Sequence, residues 1–283
     1  MRQEIKADLH CHSYYSDGTL SPTEVLELAA KNEVELLALT DHDSTQGIVE
    51  AQKNADRLGI DLVQGVEISV TWVDSSDVSH VIHIVGLNID ANNKSLQNGL
   101  AENCLARSER STKIMQALLE IEIDIHAAVN AQIPEEGLIT RTHIARALID
   151  EGHVKSMDKA FKRYLGKGKK AYIGGQWANL EQAVSWIHQA GGVAVIAHPM
   201  RYRMNATRLD ALVQDFKAAG GQGLEVVTAT QDVNQTARCV QLTKQYELYA
   251  STGSDFHSLQ QPWAMLGRCP SLPSNVTPIW QAF

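Results

Sequence analysis

Cysteine is scarce in this sequence and never closely paired: Cys11, Cys104, Cys239 and Cys269 are scattered, with no CxxC spacing. That argues against a disulfide framework. Free, mostly buried thiols in a reduced cytoplasmic compartment are the expectation. No apolar run is long enough to cross a membrane, and no apolar signal segment opens the chain. Positive charge is also short. Lys and Arg number 25 against 33 Asp and Glu, a formal net charge of −8. A broad polyanion-binding surface, such as one for long duplexes, is therefore not expected. A small basic pocket stays open, as does a bound cation cluster that reverses the local sign. There is no GxSxG elbow and no cysteine paired to a histidine motif, so no protein nucleophile suggests itself. Internal repeats and low-complexity stretches are missing too.

What is present is a rhythm of strands and helices. "EIKADLH" alternates with period two. "SPTEVLELAAK" opens a helix, with Ser21 as N-cap, Pro22 at the first helical position and Glu24 closing a capping box. "ELLALTD" reads as a buried strand, and a helix over about 45–58 ends near Gly59. "IDLVQGVEISVTW" and "VIHIVGLNI" are the third and fourth strands, with "VDSSDVSH" a hairpin-like loop between them. Residues 95–170 show helical periodicity, no convincing strand, and many basic residues. Beyond Asn179, an expected N-cap, strands "VAVIAH", "GLEVV" and "LYASTGSDFH" alternate with helices near 207–219 and 232–245. Repeated strand–helix units imply parallel strands joined by crossover helices. Seven strands suit a distorted α/β barrel built from 1–94 and 171–283. Residues 95–170 would form a helical insertion after strand four, serving as a substrate-binding subdomain.

The polar exceptions to the apolar pattern carry the chemistry. His10 and His12 end strand one, and Asp17 follows. "TDHD" places Asp41, His42 and Asp43 after strand two. Glu67 lies in "GVEIS", His83 interrupts strand four, His198 sits in "IAHP", and Asp255 and His257 sit in "GSDFH". Strand ends in a barrel converge on one face, where such enzymes place their sites. Alternation puts His10 and His12 on one side of strand one and Cys11 on the other. The bland reading of a lone histidine is a hydrogen-bonded core residue, and it is kept for His80, His126, His153 and His188. For Asp41 a helix cap is the alternative role. Nine ligand candidates, His10, His12, Asp17, His42, Glu67, His83, His198, Asp255 and His257, are too many for one ion, which takes about four to six ligands. Two or three divalent ions sharing Glu67 and Asp255 as bridges is the economical solution. Imidazole and carboxylate without thiolate suit Mn²⁺, with Fe²⁺ or Zn²⁺ as alternatives.

The set "DLHCHSYYSDG", "TDHD", "GVEIS", "HIVGL", "AHP" and "GSDFH" resembles the polymerase and histidinol phosphatase (PHP) superfamily across nearly the whole chain. The resemblance implies a distorted seven-stranded (β/α) barrel with up to three metals. It would place His10, His12, Glu67 and Asp255 on one ion, Glu67, His83 and His198 on a second, and Asp17, His42 and His257 on a third. "HIVGLNID", "ITRTHIAR", "FKRYLGKGK" and "AHPMRY" are similar to the branch of ribonuclease AM and the 3′,5′-nucleoside bisphosphate phosphatases.

Clustered cations favour an anionic substrate, and two metals can stabilise both oxygens of a displacement at phosphorus. The expected reaction is hydrolysis of the 5′ phosphoester of a 3′,5′-bisphosphonucleotide, or 5′-to-3′ trimming of short RNA. A metal-bridging hydroxide held by Glu67 and Asp255 would attack, with His42 and His198 beside it. A second phosphate would dock on Arg141, His143, Arg146, Lys169 and Arg201, since guanidinium forks suit phosphate. Arg201 stands three residues from His198, whereas Arg141 and His143 come from the resemblance. Solvated basic helix faces are the alternative for each. Trp177 and Tyr202 are candidates to stack on a base. The partner is thus a nucleotide or short oligoribonucleotide and no membrane, with a monomer as default. Two rival functions remain: a histidinol-phosphate-type small-molecule phosphatase, and a non-catalytic metal-binding accessory module.

Overall fold

The computed structural model describes residues 5–134 and 137–283. Glu4, where the expected first strand begins, lies outside them. Seven strands form one sheet in sequence order. They are β1 (Ala7–Cys11), β2 (Leu36–Leu39), β3 (Asp61–Val73), β4 (Ser79–Leu87), β5 (Val193–Ile196), β6 (Gly223–Thr228) and β7 (Tyr249–Gly253). Helices α1 (Pro22–Lys31), α2 (Gly47–Leu58), α7 (Leu180–Gln189), α8 (Ala206–Ala218) and α9 (Val233–Gln245) belong to the strand–helix alternation. Between β4 and β5 come α3 (Lys94–Leu119), α4 (His126–Asn130), α5 (Arg141–Asp150), α6 (Met157–Ala160) and a π-helical turn over Phe161–Leu165.

The local punctuation works as the sequence suggests. Ser21 and Glu24 form a capping box at α1, Asn179 and Gln182 form another at α7, and Gly59 ends α2 at φ 68°. The "LLAL" and "VAVI" runs of β2 and β5 are buried throughout, as strands covered on both faces must be.

The hairpin-like loop expected between strands three and four is present, and β4 is the exception to the parallel order that the repeated strand–helix units imply. β4 runs antiparallel to both β3 and β5, while the other pairs are parallel. The cause is the short 74–78 turn, which leaves no room for a crossover helix and so enforces a hairpin. Asp74 holds that turn by accepting from Ser76 N at 2.9 Å and Val78 N at 3.1 Å.

The sheet nearly closes into a barrel where the candidate residues gather. His12 N donates to Phe256 O at 2.9 Å and Asp255 N to His10 O at 2.8 Å, joining the ends of β1 and β7. Gly253 makes this approach possible, because a Cβ there would lie 2.3 Å from His10 Cβ. One apolar cluster fills the barrel interior with Leu9, Ala38, Val63, Val85, Val195 and Ile279. Larger clusters lie between the sheet and the helices, one around Ile68, Ile84, Ile196 and Phe216, another around Leu26, Leu37, Leu39 and Ala55. The second half of α3, with α4, α5, α6 and the π-helical turn, has its own core, including Ile114, Leu118, Val129, Ile144 and Leu148, whereas Leu96 and Leu100 of α3 and the buried face of α7 pack in the sheet–helix core.

Candidate metal centre

The β1–β2 register slips between Asp8 and Cys11. Leu9 consequently joins the barrel interior, while Cys11 packs against the α1–α2 layer. His10 and His12 still converge, with their Nε2 atoms 3.1 Å apart. Glu67 stands mid-strand in β3 and His83 mid-strand in β4, where His83 pairs with Ser69. Neither is at a strand end, because this hairpin passes through the site instead of stopping at it. His198 and Asp255 follow β5 and β7 in backbone conformations unusual for residues with a Cβ, at φ 29° and 54°. Such strained positions persist where surrounding structure over-determines them, often at functional sites.

Glu67 is the hub. Its Oε1 lies 3.0 Å from His83 Nδ1, 3.1 Å from His198 Nε2 and 3.3 Å from His10 Nε2. Its Oε2 lies 2.8 Å from His42 Nδ1 and 3.4 Å from His12 Nε2. Asp255 Oδ1 is 3.1 Å from His12 Nε2 and 3.3 Å from His10 Nε2. Asp17 Oδ1 is 3.2 Å from His257 Nε2 and 3.8 Å from His42 Nε2. All nine expected ligands thus lie in one cluster. Three sets could each hold an ion: His10, His12, Glu67 and Asp255; His42, Glu67 and His83; and His12, Asp17, His42 and His257. The grouping differs from expectation: His42 takes the place of His198 beside Glu67 and His83, His198 falls in none of the three sets, and His12 also reaches the Asp17 set.

The donor set fits a divalent cation on a further ground. Asp17 Oδ1, His42 Nδ1, Glu67 Oε2, His83 Nδ1 and His198 Nδ1 are buried and lack a hydrogen-bond partner among the described residues. His42 Nδ1 and Glu67 Oε2 are close, yet do not point at each other in hydrogen-bond geometry. Buried polar atoms are otherwise almost always paired. Here nitrogen and oxygen ligand atoms crowd together with unfilled coordination, as hard and borderline cations require.

Without metal the charges balance through protons. Burial works against every charge here. The imidazoles of His42, His83 and His10 nevertheless hold Glu67 well below the usual carboxylate range. Burial likewise opposes a charged His257, but Asp17 and Asp255 push it up to about 9. Burial and the neighbouring His257 push His12 down to about 3, leaving that ring neutral. Cations entering such a site displace protons from the imidazoles.

Several supporting residues escaped the sequence reading. Glu225 on β6 contacts His10 Nδ1 at 2.6 Å and is buried. Asp41 is neither ligand nor cap. It accepts from Ser13 N at 2.8 Å, Ser13 Oγ at 2.6 Å and Ser16 Oγ at 2.7 Å, shaping the loop that carries Asp17. Asp43 accepts from Ser69 N at 2.9 Å, Asn103 Nδ2 at 2.8 Å and Arg107. Tyr202 braces β4, its hydroxyl oxygen accepting from His83 N at 2.8 Å, and its ring meets that of His198 edge-on.

A cavity of about 280 Å³ opens onto the cluster, and Arg107, Arg110, Arg141, Arg201, Phe161 and Trp177 help line it. Arg201 donates to Asp255 Oδ2. Trp177 lies beneath two guanidiniums, Arg107 at 4.9 Å and Arg110 at 5.6 Å from its ring centre. Burial, Arg141 and Arg107 together hold Arg110 below its ordinary pKa, and burial with Arg107 does the same to Arg141. Arg107 and Arg110 were missed, although their i, i+3 spacing in "ARSER" puts them on one helix face. Three other expected contacts lie elsewhere. Arg146 donates to the Asp17 carbonyl at 2.7 Å and lines a separate cleft with Tyr14 and Gln132. His143 is buried, its Nδ1 accepting from Thr140 N at 3.1 Å. Lys169 is exposed and lies outside the cavity lining.

Comparison with known proteins agrees with this geometry. A family model described as PHP domain matches residues 8–191. A 3′,5′-nucleoside bisphosphate phosphatase of Chromobacterium violaceum is 44% identical over 279 residues, covering 97% of this chain and 95% of that protein. A 5′-3′ exoribonuclease of Haemophilus influenzae is 41% identical over 278 residues, covering 98% and 99% respectively. The solved structure of an amidohydrolase from Chromobacterium violaceum, with bound sulfate and no metal, matches with a TM-score of 0.91 at 43% identity, covering 98% of this chain and 95% of that one. A seven-stranded near-barrel that gathers histidines and carboxylates on one face, matched over most of its length by that model, belongs to the PHP domain family.

Proposed function

We propose that this chain is a metal-dependent phosphoesterase. It hydrolyses the 5′ phosphoester of 3′,5′-bisphosphonucleotides, and trims short RNA from its 5′ end by the same chemistry. One observation carries the substrate class: four guanidiniums line the cavity that opens onto the histidine–carboxylate cluster. Arg107 and Arg201 pair with Asp43 and Asp255. Arg110 and Arg141 have no carboxylate of the described residues within ion-pair distance, and each is disfavoured by the other cations nearby. Partly buried like charges without counter-ions ask for an anionic ligand.

His10, His12, Glu67 and Asp255 would hold one ion. Glu67, His83 and His198 would hold a second, with His42 within reach of both Glu67 and Asp17. Asp17, His42 and His257 would hold a third. Bound there, Mn²⁺ (or Fe²⁺ or Zn²⁺) would polarise the phosphoryl group and supply hydroxide near neutral pH. The chain's own contribution is positioning. Arg110 and Arg141 receive the phosphate remote from the reacting bond, and Arg201 faces the reacting end. Trp177, covered by Arg107 and Arg110, closes the wall between them. His143 and Arg146 act indirectly, His143 capping α5 and Arg146 bracing the Asp17 backbone. Residues 95–170 serve as the substrate-binding subdomain. The sulfate bound by the Chromobacterium violaceum relative supports affinity for a tetrahedral anion. No helix of the described residues is long and apolar enough to cross a membrane. Four free thiols support a cytoplasmic setting.

The test is phosphate release with Mn²⁺ from 3′,5′-adenosine bisphosphate, histidinol phosphate and a short 5′-monophosphorylated RNA. Turnover of the bisphosphate and stepwise shortening of the RNA, both abolished by His10→Ala, are expected. A preference for histidinol phosphate would sink the substrate assignment.

A further inference from the structure

Glu225 is the one acidic residue in the otherwise apolar "GLEVV" run of β6. Leu224, Val226 and Val227 all join the core between sheet and helices. The β6–β7 register slips between Glu225 and Val227. Alternation points Glu225 away from Leu224 and Val226, toward the metal cluster, and the bulge re-aims Val227 into the outer core, which leaves Glu225 without it as a neighbour on that face. Glu225 is 1% exposed. Both of its oxygens are used. Oε1 lies 2.6 Å from His10 Nδ1, and Oε2 accepts from His198 N at 2.5 Å.

We infer that Glu225 is a positioning residue that fixes the tautomer of His10 and the backbone of His198 together. The inference rests on the reading of the cluster as a metal centre. A carboxylate can only accept, so His10 Nδ1 must carry hydrogen. The lone pair of the neutral ring then lies on Nε2, which faces Glu67 and Asp255. The other oxygen holds His198 N–H at its unusual φ of 29°. One side chain thus holds two candidate ligands whose Nε2 atoms both approach Glu67 Oε1. Carboxylates hydrogen-bonded to metal-ligating histidines play this part generally.

The discriminating variant is Glu225→Gln, which keeps the volume. Its amide has one accepting oxygen and one donating nitrogen. The His198 backbone can only donate, so it takes the oxygen. The amide nitrogen then faces His10 Nδ1, which must accept, and the proton moves to Nε2. That ring can no longer bind metal through Nε2 without breaking the new bond. Glu225→Asp packs worse but remains an acceptor, so it leaves the tautomer intact.

Metal binding to the three full-length proteins should be measured by calorimetric titration with Zn²⁺ and by metal content after gel filtration. Histidine ¹⁵N spectra of the Zn²⁺-loaded forms report the tautomer. Wild type should show His10 with hydrogen on Nδ1. Glu225→Gln should lose about 10- to 100-fold in affinity at one site, more than Glu225→Asp, with the His10 signals altered. Equal affinities in wild type and Glu225→Gln overturn the inference while leaving the metal centre standing. So does a greater loss in Glu225→Asp, which marks a packing role. A wild-type protein that binds no divalent ion sinks the functional reading and this inference together.

Discussion

Arg107 donates to the Asp43 carboxylate, and both side chains are buried. The pair joins α3 to the loop that carries His42, so one helix positions both a candidate ligand and the cationic cavity wall. Arg107 also donates to Ser69 Oγ at 2.7 Å, on the strand that carries Glu67.

Removing one partner of a buried pair leaves the other charge stranded and costs about 3–5 kcal/mol. Arg107→Met should therefore lower the urea midpoint strongly. Adding Asp43→Asn should recover part of the loss, because the stranded charge is gone. Urea unfolding of the two single variants and the double gives the coupling. Additive losses would mean the pair contributes no net interaction.

Arg141 should behave oppositely. It sits near Arg107, and burial with that repulsion already disfavours its charge. Arg141→Met should raise the stability of the ligand-free protein by about 1 kcal/mol, as removal of a functional strain often does. The same variant should raise KM for the bisphosphate about 10- to 100-fold, the worth of a charge-assisted hydrogen bond. Hydrolysis of a substrate lacking the second phosphate should barely change. Melting curves and steady-state kinetics on the two substrates check both halves. A fall in stability with unchanged KM would make Arg141 an ordinary packing residue.

The nine candidate ligands were legible because each interrupts an apolar strand or follows one within a few residues. That pattern holds even at β4, the exception to the parallel order. β4 runs the other way, yet His83 still reaches Glu67, because strand alternation fixes the face whatever the direction. What the sequence hid was long-range. Nothing local says that Glu225 meets His10, 215 residues away, although a lone acid in a buried strand was a usable signal. Residues 95–170 read as basic, but without a ligand motif Arg107 and Arg110 have no anchor there. Arg146 and Lys169 show the converse: basic residues near a motif, one spent bracing a carbonyl and one left in solvent.

Asp41 offers a pH signature. Burial raises its pKa to about 6, against the hydrogen bonds from Ser13 and Ser16. The unfolded chain would titrate near the ordinary carboxylate value, so the folded state binds more protons between those limits. Stability from this group is thus fully present at low pH and is lost as pH rises through about 6, a contribution of order 3 kcal/mol. Asp41→Asn keeps oxygen for Ser13 N and Ser16 Oγ and offers its amide nitrogen to Ser13 Oγ. It should flatten the stability slope between pH 4 and 6 and leave metal content unchanged. Urea midpoints across that range decide it, and a slope identical to wild type would reject the assignment.

The overlap of the three ligand sets makes the last prediction one of stoichiometry. His12 belongs to two of the sets, with Asp255 on one side and Asp17 with His257 on the other, whereas His83 belongs to one. His12→Ala should therefore lower bound metal by more than one ion per chain, and His83→Ala by no more than one. Each site filled at 100 times its Kd adds about 2.7 kcal/mol to stability. The rise in melting temperature with added Mn²⁺ should accordingly be smaller in His12→Ala than in His83→Ala. Elemental analysis beside calorimetry distinguishes the two variants. Equal losses would show that the sets fill independently, and that His12 serves only the Glu67–Asp255 ion.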